Sequence, residues 1–170
     1  VYLNILDQRI TIDPLTRVYN GEQMVRYLSH KLRSAGEDSS LFLLMLDADN
    51  FKHINDRYGH MEGDSALIRI AETLRRTAPR NAFVGRYGGD EFCLILPDCT
   101  LEEGLRRAEA LRRVIELLDA DAETKEDHVT VSLGVAAMPE SGLTRETLLA
   151  AADSALYSSK HAGRNRVNGI

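Results

Sequence analysis

One short segment, rich in glycine and acid and set between two apolar runs, constrains the fold more than any other part of the chain. It reads Arg86-Tyr87-Gly88-Gly89-Asp90-Glu91-Phe92. Apolar residues 82–84 precede it and residues 92–96 continue it, so the pattern predicts a β-hairpin with the acids at its tip. Gly88 and Gly89 allow a tight turn and the close approach of a ligand. Asp90 and Glu91 repel each other there unless a cation or a substrate uses them; an acidic surface turn without a function is the alternative.

A second apolar run, residues 41–46, ends in Asp47. An uninterrupted run of this kind is typical of a buried central strand, and a carboxylate at its end lies at the sheet edge where open α/β sheets bind substrates. A solvated strand end is the alternative. If the hairpin strands lie beside this strand, Asp47 and Asp90 converge. Two such hard oxygen ligands suit Mg²⁺, which shares its other positions with water and phosphate.

Helical and strand patterns alternate along the rest of the chain. Helices are predicted over residues 20–35, from residue 51 to Gly59, over residues 64–78, after a capping box of Thr100 and Glu103, and over residues 144–161 with Gly163 as the cap. Residues 129–137 alternate as a strand does, and residues 165–168 fit a short final strand. Strands interleaved with helices predict an α/β sandwich, in which helices pack on a mixed sheet.

Composition limits the classes of protein to which the chain can belong. With 170 residues, 44% hydrophobic and 28% charged, it has the size and balance of one globular domain. The net charge of −5 argues against a general nucleic-acid binder. No apolar stretch approaches the ~20 residues of a membrane span, and residues 1–12 carry no secretory signal. Cys93 and Cys99 suit neither a disulfide framework nor a zinc site, so reduced thiols of a cytoplasmic domain are expected.

Four blocks in a fixed order resemble the GGDEF domain of the diguanylate cyclase family over nearly the full chain. They are the Gly88–Phe92 signature, Asp47-x-Asp-x-Phe-Lys-x-Ile-Asn55-Asp-x-x-Gly-His60-x-x-Gly-Asp64, Thr130-Val-Ser-Leu-Gly-Val-Ala136, and Asp153-x-Ala-Leu-Tyr-x-x-Lys160-x-x-Gly-Arg164-Asn. The resemblance implies a palm-like, mixed five-stranded sheet flanked by helices, with the core of nucleotidyl cyclases and ferredoxin-like folds. It also implies that residues 13–170 form the catalytic domain.

The family condenses two GTP molecules into cyclic di-GMP and releases two pyrophosphates, and the resemblance implies roles for the acids. Asp47, the backbone carbonyl of Ala48 and Asp90 would bind Mg²⁺, with Mn²⁺ as a substitute. Asp90 would also accept the proton of the ribose 3′-hydroxyl. Glu91 would support either the metal or the base.

The resemblance implies a GTP-binding site as well. Asn55 and Asp64 would read the guanine edge, with His60 close by. An Asp can accept hydrogen bonds from both N1 and N2 of guanine, a donor pair that adenine lacks, so Asp64 favours GTP over ATP. The remaining implied contacts are Gly88 and Gly89 beside the nucleotide, and Lys160, Arg164 and the amides near Phe51 and Lys52 around its phosphates.

Three of these residues also have ordinary structural explanations. Lys160 and Arg164 flank Gly163, where basic side chains complement the dipole of a helix C-terminus. His60 fits a structural hydrogen bond after Gly59 as well as it fits a ligand contact.

The product is two-fold symmetric, whereas the sequence contains one acidic pair and no repeat. A homodimer in which each domain carries one GTP is the simplest arrangement. Residues 1–12 have helical spacing and are expected to be the end of a linker helix from an upstream sensory or dimerisation domain, which could anchor the full-length protein in a membrane. The domain itself is expected to contact neither membrane nor nucleic acid.

Two segments depart from the family pattern. Many members have an inhibitory product site with an Arg-x-x-Asp pair, but the corresponding positions here are Pro79 and Ala82, and Arg80 is one position out of register. No inhibitory product site is therefore expected. In the segment from Asp13, Arg17 and Gly21 replace the family's Gly and Arg, which concerns the connection to the upstream helix more than the chemistry.

Other functions remain open at this point. A non-catalytic GTP-binding or protein-interaction module could keep the same fold, although such relatives usually lose the acids that are present here. The missing Arg-x-x-Asp pair argues against a receptor for cyclic di-GMP, and Asp64 argues against a mixed cyclic dinucleotide.

Overall fold

The computed structural model describes residues 11–119 and 127–169. Most of the predicted upstream helix, residues 1–10, therefore lies outside the described residues. In chain order the elements are β1 (Tyr19–Asn20), α1 (Gly21–Arg33), β2 (Leu41–Ala48), α2 (Phe51–Tyr58), α3 (His60–Thr77), β3 (Phe83–Gly88), β4 (Glu91–Pro97), α4 (Leu101–Glu116), a 3₁₀ turn (Leu117–Asp119), β5 (Val131–Met138), α5 (Arg145–His161) and β6 (Val167–Gly169).

The strands form one mixed sheet in the order β1-β3-β4-β2-β5-β6. β2 lies in the middle, antiparallel to both β4 and β5, while the edge strands β1 and β6 pair in parallel with β3 and β5. The predicted α/β architecture and the hairpin are confirmed. The sheet has one strand more than the five expected, because Tyr19 and Asn20 pair with β3 and two residues are too few to show a strand period.

Strand β2 is buried along its whole length, as the apolar run predicts. Phe42, Leu44 and Leu46 face a core cluster that α2, α3 and α4 cover. Leu41, Leu43 and Met45 face the opposite cluster, under α1 and α5. Since side chains alternate along a strand, the next odd-numbered residue, Asp47, lies on the face that α5 covers. The strand continues through Asp47 to Ala48, one residue beyond its expected end.

Helix α3 begins at His60, four residues before the predicted start, directly after Gly59 ends α2 with φ 90°. The sequence pattern does not predict this early start, because Gly63, the fourth residue of the helix, is a poor helix former. Within the described residues, no helix is both long and apolar enough to span a membrane. Cys93 and Cys99 are buried free thiols.

The backbone of helix α5 packs closely against the backbone of β5 at Gly134, which has no side chain. A Cβ added at Gly134 would lie 2.2 Å from both the Ala152 carbonyl oxygen and the Leu156 nitrogen. The buried Ser159 hydroxyl donates to the Leu133 carbonyl oxygen at 2.6 Å and fixes the same helix further along. Gly134 therefore sets the distance between β5 and the helix that carries Lys160.

We expect Gly134→Ala to destabilise the protein by ~1–3 kcal/mol, because the added methyl group meets backbone atoms that cannot rotate away. Urea unfolding followed by circular dichroism measures the loss. Gly36→Ala is the matched control, since the nearest atom to its Cβ is Ser39 Oγ at 3.9 Å. Equal stability of the two variants would show that α5 is free to move off the sheet.

Candidate active site

The central strand ends in a buried carboxylate that faces a second acid on the neighbouring strand. Asp47, 3% exposed, pairs in register with Glu91 across the β2–β4 ladder. Directly opposed residues lie on one face of a sheet with their side chains close together. The ammonium group of Lys160, in the last turn of α5, forms an ion pair with Asp47 Oδ2. Asp47 Oδ1 is buried and has no hydrogen-bond partner within the part of the chain that the structure describes.

The hairpin turn brings Asp90 to the same end of β2. The Ala48 amide donates to the Asp90 carbonyl oxygen at 3.1 Å, so the turn is joined to the last residue of β2. Neither Gly88 nor Gly89 has a positive φ, so the turn does not need the conformational freedom expected of them. A Cβ at Gly89 would meet no described atom within 4 Å. The space above the turn at Gly89 is therefore open.

Burial makes both hairpin acids weaker than isolated carboxyl groups. Partial burial raises the pKa of Asp90, and the charge of Asp49 adds to this while Arg86 opposes it. Partial burial also raises the pKa of Glu91, with contributions from the charges of Asp153 and Asp90. Such a cluster of repelling acids is costly for a fold, and raised carboxyl pKa values are frequent where an acid accepts a proton or binds a cation.

Arg86 holds the turn from behind, a role that the sequence analysis missed. Its guanidinium donates to the Gly89 carbonyl oxygen from Nη2 at 2.7 Å and from Nε at 3.0 Å, and Nη1 lies 3.2 Å from both carboxylate oxygens of Asp13. Burial opposes ionisation of Asp13, but hydrogen bonds from Thr16 and the charge of Arg86 outweigh it and lower its pKa. The start of the domain is thus tied to the turn that carries Asp90.

Helix α2 presents uncapped amides at its start. Asn50 precedes it in the left-handed region, at φ 58°, and among the described residues no side chain caps the helix there. The amides of Phe51 and Lys52, the first two residues of α2, are donors that find no acceptor within the helix. Such amides, with the positive end of the helix dipole, suit a phosphate group.

The residues predicted to read guanine lie where α2 meets α3. Asn55 Oδ1 is buried without a hydrogen-bond partner among the described residues. A Cβ at Gly63 would lie 1.8 Å from this oxygen, so glycine at that position makes room for the Asn55 amide. Asp64, the next residue, and His60, which begins α3, are exposed.

The two predicted phosphate cations converge at the end of α5. Lys160 lies in its last turn, and Arg164 follows in an exposed turn with φ 63°. Partial burial and the like charge of Arg164 lower the pKa of Lys160. Because Lys160 also contacts Asp47, the cations lie next to the acids rather than on a remote helix end.

The residues at the end of β2 suit a divalent cation held partly by its substrate. Within residues 11–119 and 127–169 no three His, Cys, Asp or Glu side chains form a metal cage. Mg²⁺ seldom needs one, since it is usually bound by one or two carboxylates and by phosphate oxygens. The unpartnered oxygen of Asp47 and its neighbour Glu91 are hard donors of this kind.

A cavity of about 460 Å³ lies away from the acids, toward the other end of β3, where Arg17, Arg75 and Arg80 line it. Pro79 and Ala82, at the positions of the family's inhibitory pair, line the same cavity without contributing a charge. The absence of an inhibitory product site stays a prediction.

The fold and the site together define a mixed α/β domain that carries its acids, and the residues predicted to read guanine and to bind phosphate, at one end of its sheet. Comparison with known proteins narrows this class. The family model described as "Diguanylate cyclase, GGDEF domain" matches residues 10–166. The chain therefore belongs to the GGDEF domain family of diguanylate cyclases.

Individual relatives agree with this assignment. Diguanylate cyclase DgcP of Pseudomonas aeruginosa is 36% identical over 164 residues, which cover 94% of this chain and 24% of the relative. Diguanylate cyclase DosC of Escherichia coli is 35% identical over 160 residues, 93% of this chain and 35% of the relative. The crystal structure of the coiled coil and GGDEF domain of DgcB from Caulobacter crescentus, in complex with c-di-GMP, matches with a TM-score of 0.90 and 30% identity. That match covers 99% of this chain and 90% of the other.

The chain spans between about a quarter and less than half of the length of the curated relatives that it matches first, from 24% to 44%. These relatives thus contain other regions besides the GGDEF domain.

Asp90→Asn and Glu91→Gln are each expected to stabilise the metal-free protein at neutral pH. A raised folded pKa means that stability is present below the ordinary pKa, 3.8 for Asp and 4.5 for Glu, and is lost as pH rises through the raised value. Both substitutions remove this loss. Thermal unfolding between about pH 4 and pH 8 measures the effect: the gain should be full at the upper end and shrink toward the ordinary pKa. Asp38→Asn, at an exposed loop acid, is the control, and a gain independent of pH would contradict the argument.

Proposed function

We propose that this chain is the catalytic domain of a diguanylate cyclase, which condenses two GTP into cyclic di-GMP and two pyrophosphates at the interface of two domains. One observation carries the proposal. The buried Asp47 pairs in register with Glu91 and forms an ion pair with Lys160, and one of its oxygens has no partner among the described residues. A purely structural or protein-interaction module gains nothing from acids and cations concentrated in this way.

The proposed metal site consists of Asp47, the carbonyl of Ala48 and Asp90, with Mg²⁺ as the cation and Mn²⁺ as a substitute. A divalent cation there would stabilise charge on the phosphates and lower the pKa of the attacking hydroxyl. In the nucleotide-free chain, Lys160 provides the positive charge that Asp47 needs. When GTP binds, we infer that Lys160 moves to the β- and γ-phosphates together with Arg164. The amides of Phe51 and Lys52 then donate hydrogen bonds to phosphate oxygens.

Guanine recognition is assigned to Asn55 and Asp64, with His60 beside them. The buried Asn55 oxygen lacks a partner within residues 11–119 and 127–169, and a buried acceptor without a donor is costly. A guanine donor would satisfy it. Asp64 is exposed near the start of α3 and can accept from N1 and N2 of the base.

The chemical step follows from the proposed positions. The ribose 3′-oxygen of one GTP attacks the α-phosphorus held by the other domain, a P–O bond forms, and the bond to the β-phosphate breaks to release pyrophosphate. Asp90 accepts the hydroxyl proton, a task that its raised pKa favours. Glu91 supports the metal or the base. Gly88 and Gly89 leave the space that the nucleotide occupies.

The proposed reaction needs a second domain, because the product contains two guanosines whereas one chain carries one set of the proposed site residues. Two domains meeting face to face would exclude water and align each 3′-oxygen with the opposite α-phosphate, and alignment alone can contribute effective molarities of roughly 10⁵ M or more. We infer that an upstream sensory or dimerising region, joined through residues 1–12, controls this encounter.

The direct test is to incubate the chain at high protein concentration with GTP and Mg²⁺ and to identify the product by mass. We expect cyclic di-GMP, with a loss of about 10²–10⁴-fold in Asp90→Ala because the proton acceptor is removed. Asp38→Ala, far from the site in sequence and exposed, should keep the parent activity. GTP binding without any product would favour the non-catalytic module instead.

The requirement for two domains predicts that activity depends on protein concentration. Specific activity should rise with concentration and level off once most chains are paired, because productive encounters scale with the square of the dilute monomer. A dilution series read by pyrophosphate release measures this. Constant activity per molecule across the whole series would contradict the two-domain mechanism.

A further inference from the structure

Three consecutive residues after α5 adopt left-handed backbone conformations. Gly163, Arg164 and Asn165 have φ of 121°, 63° and 45°. Glycine accepts this region freely, whereas other residues adopt it only where surrounding contacts hold them. Arg164 is exposed, but its backbone amide donates to the Ser159 carbonyl oxygen at 3.0 Å and its carbonyl oxygen accepts from Arg166 Nε at 3.0 Å. The next residue, Asn165, adds contacts to the core and to α4.

Asn165 is held from two sides. Its backbone amide donates to Asp49 Oδ2 at 3.0 Å, across 116 positions of sequence. Its side chain accepts from Arg112 Nη1 at 2.8 Å and donates to Glu116 Oε1 at 2.7 Å, both on α4. We call these three partners, Asp49, Arg112 and Glu116, the Asn165 clamp.

Asp49 itself is fixed in the core of the domain. It is 3% exposed, and its carboxylate accepts from Thr130 Oγ1 at 2.7 Å and from Ser132 Oγ at 2.6 Å. With the Asn165 amide, three protein donors occupy its two oxygens. Asp49 therefore differs from Asp47, two residues earlier, whose Oδ1 has no described partner.

We propose that Asp49 is a positioning residue for the triphosphate: through the Asn165 amide it fixes the left-handed turn that aims Arg164 at the phosphates. This inference rests on the proposed function, in which Arg164 binds those phosphates. It gives the two acids at the end of β2 separate tasks. Asp47 serves the exchangeable cation, and Asp49 serves the permanent geometry of the turn.

The first arm of the test needs no nucleotide. Hydrogen exchange of the Asn165 amide is compared among the parent, Asp49→Ala and Asp49→Asn. Asp49→Ala should speed this exchange, whereas Asp49→Asn should keep part of the protection, because its amide oxygen can turn toward Asn165. Ser132→Ala, which removes another donor to the same carboxylate, is the matched control and should leave the Asn165 amide protected. Unchanged exchange in Asp49→Ala overturns the inference.

The second arm separates the turn from the guanine site by titrating each variant with GTP and with guanosine. Asp49→Ala should weaken GTP binding by roughly tenfold to a hundredfold, the scale of a misplaced contact, and leave guanosine binding unchanged. Asp49→Ala combined with Arg164→Ala should bind GTP no more weakly than Arg164→Ala alone, since both act through one contact. If the losses of GTP affinity from the two single substitutions multiply in the double variant, the inference is overturned.

Asp49→Asn covers the case in which Asp49→Ala does not fold, because its side chain has the same size and keeps one acceptor oxygen. It should speed exchange of the Asn165 amide in part and weaken GTP but not guanosine; parent values for both overturn the inference. Failure of the proposed function has a different signature. There Arg164→Ala leaves GTP affinity unchanged while Asp49→Ala still exposes the Asn165 amide.

Discussion

The burial of two carboxylates at the end of the central strand is the constraint on which the rest of the structure depends. Asp47 and Asp49 are each 3% exposed, and a buried charge must be paired or hydrogen-bonded. Asp49 meets this requirement completely, through Thr130, Ser132 and the Asn165 amide. Asp47 meets it through the ion pair with Lys160 and retains an oxygen with no described partner. The same strand end thus holds one carboxylate with both oxygens hydrogen-bonded and one with an oxygen that no described donor reaches.

Helix α5 connects this strand end with Lys160 and Arg164, the residues that we propose bind the phosphates. Gly134 brings the helix against β5, and the alternation of β2 places Asp47 on the face that α5 covers, so Lys160 reaches it. The turn after the helix returns to the core through Asn165 and Asp49. On the opposite side, Arg86 ties the hairpin turn to Asp13 at the start of the domain. The hydrogen bonds of Arg86 therefore connect Asp13 to the turn that carries Asp90.

Sequence reasoning predicted those features of the fold that short-range patterns encode. The hairpin, the buried strand before Asp47 and the helix ends before Gly59 and Gly163 all leave local signals. The two-residue β1, the early start of α3 and the partners of Asp13 and Asp49 do not, because they depend on contacts between residues 66 to 116 positions apart or on close packing around glycine. Motif resemblance predicted the site residues, but only the structure distinguishes the partners of Asp47 from those of Asp49.

The most direct measurement of the central claim, that Asp47 is the exchangeable carboxylate, is a Mn²⁺ titration of the nucleotide-free chain followed by electron paramagnetic resonance. Asp47→Asn should weaken Mn²⁺ binding by roughly tenfold or more, as loss of a metal-site residue commonly does. Lys160→Met should strengthen it, because the competing internal cation is removed. Unchanged Mn²⁺ affinity in Asp47→Asn would contradict the claim, and it would leave the ion pair of Asp47 and Lys160 as a structural contact only.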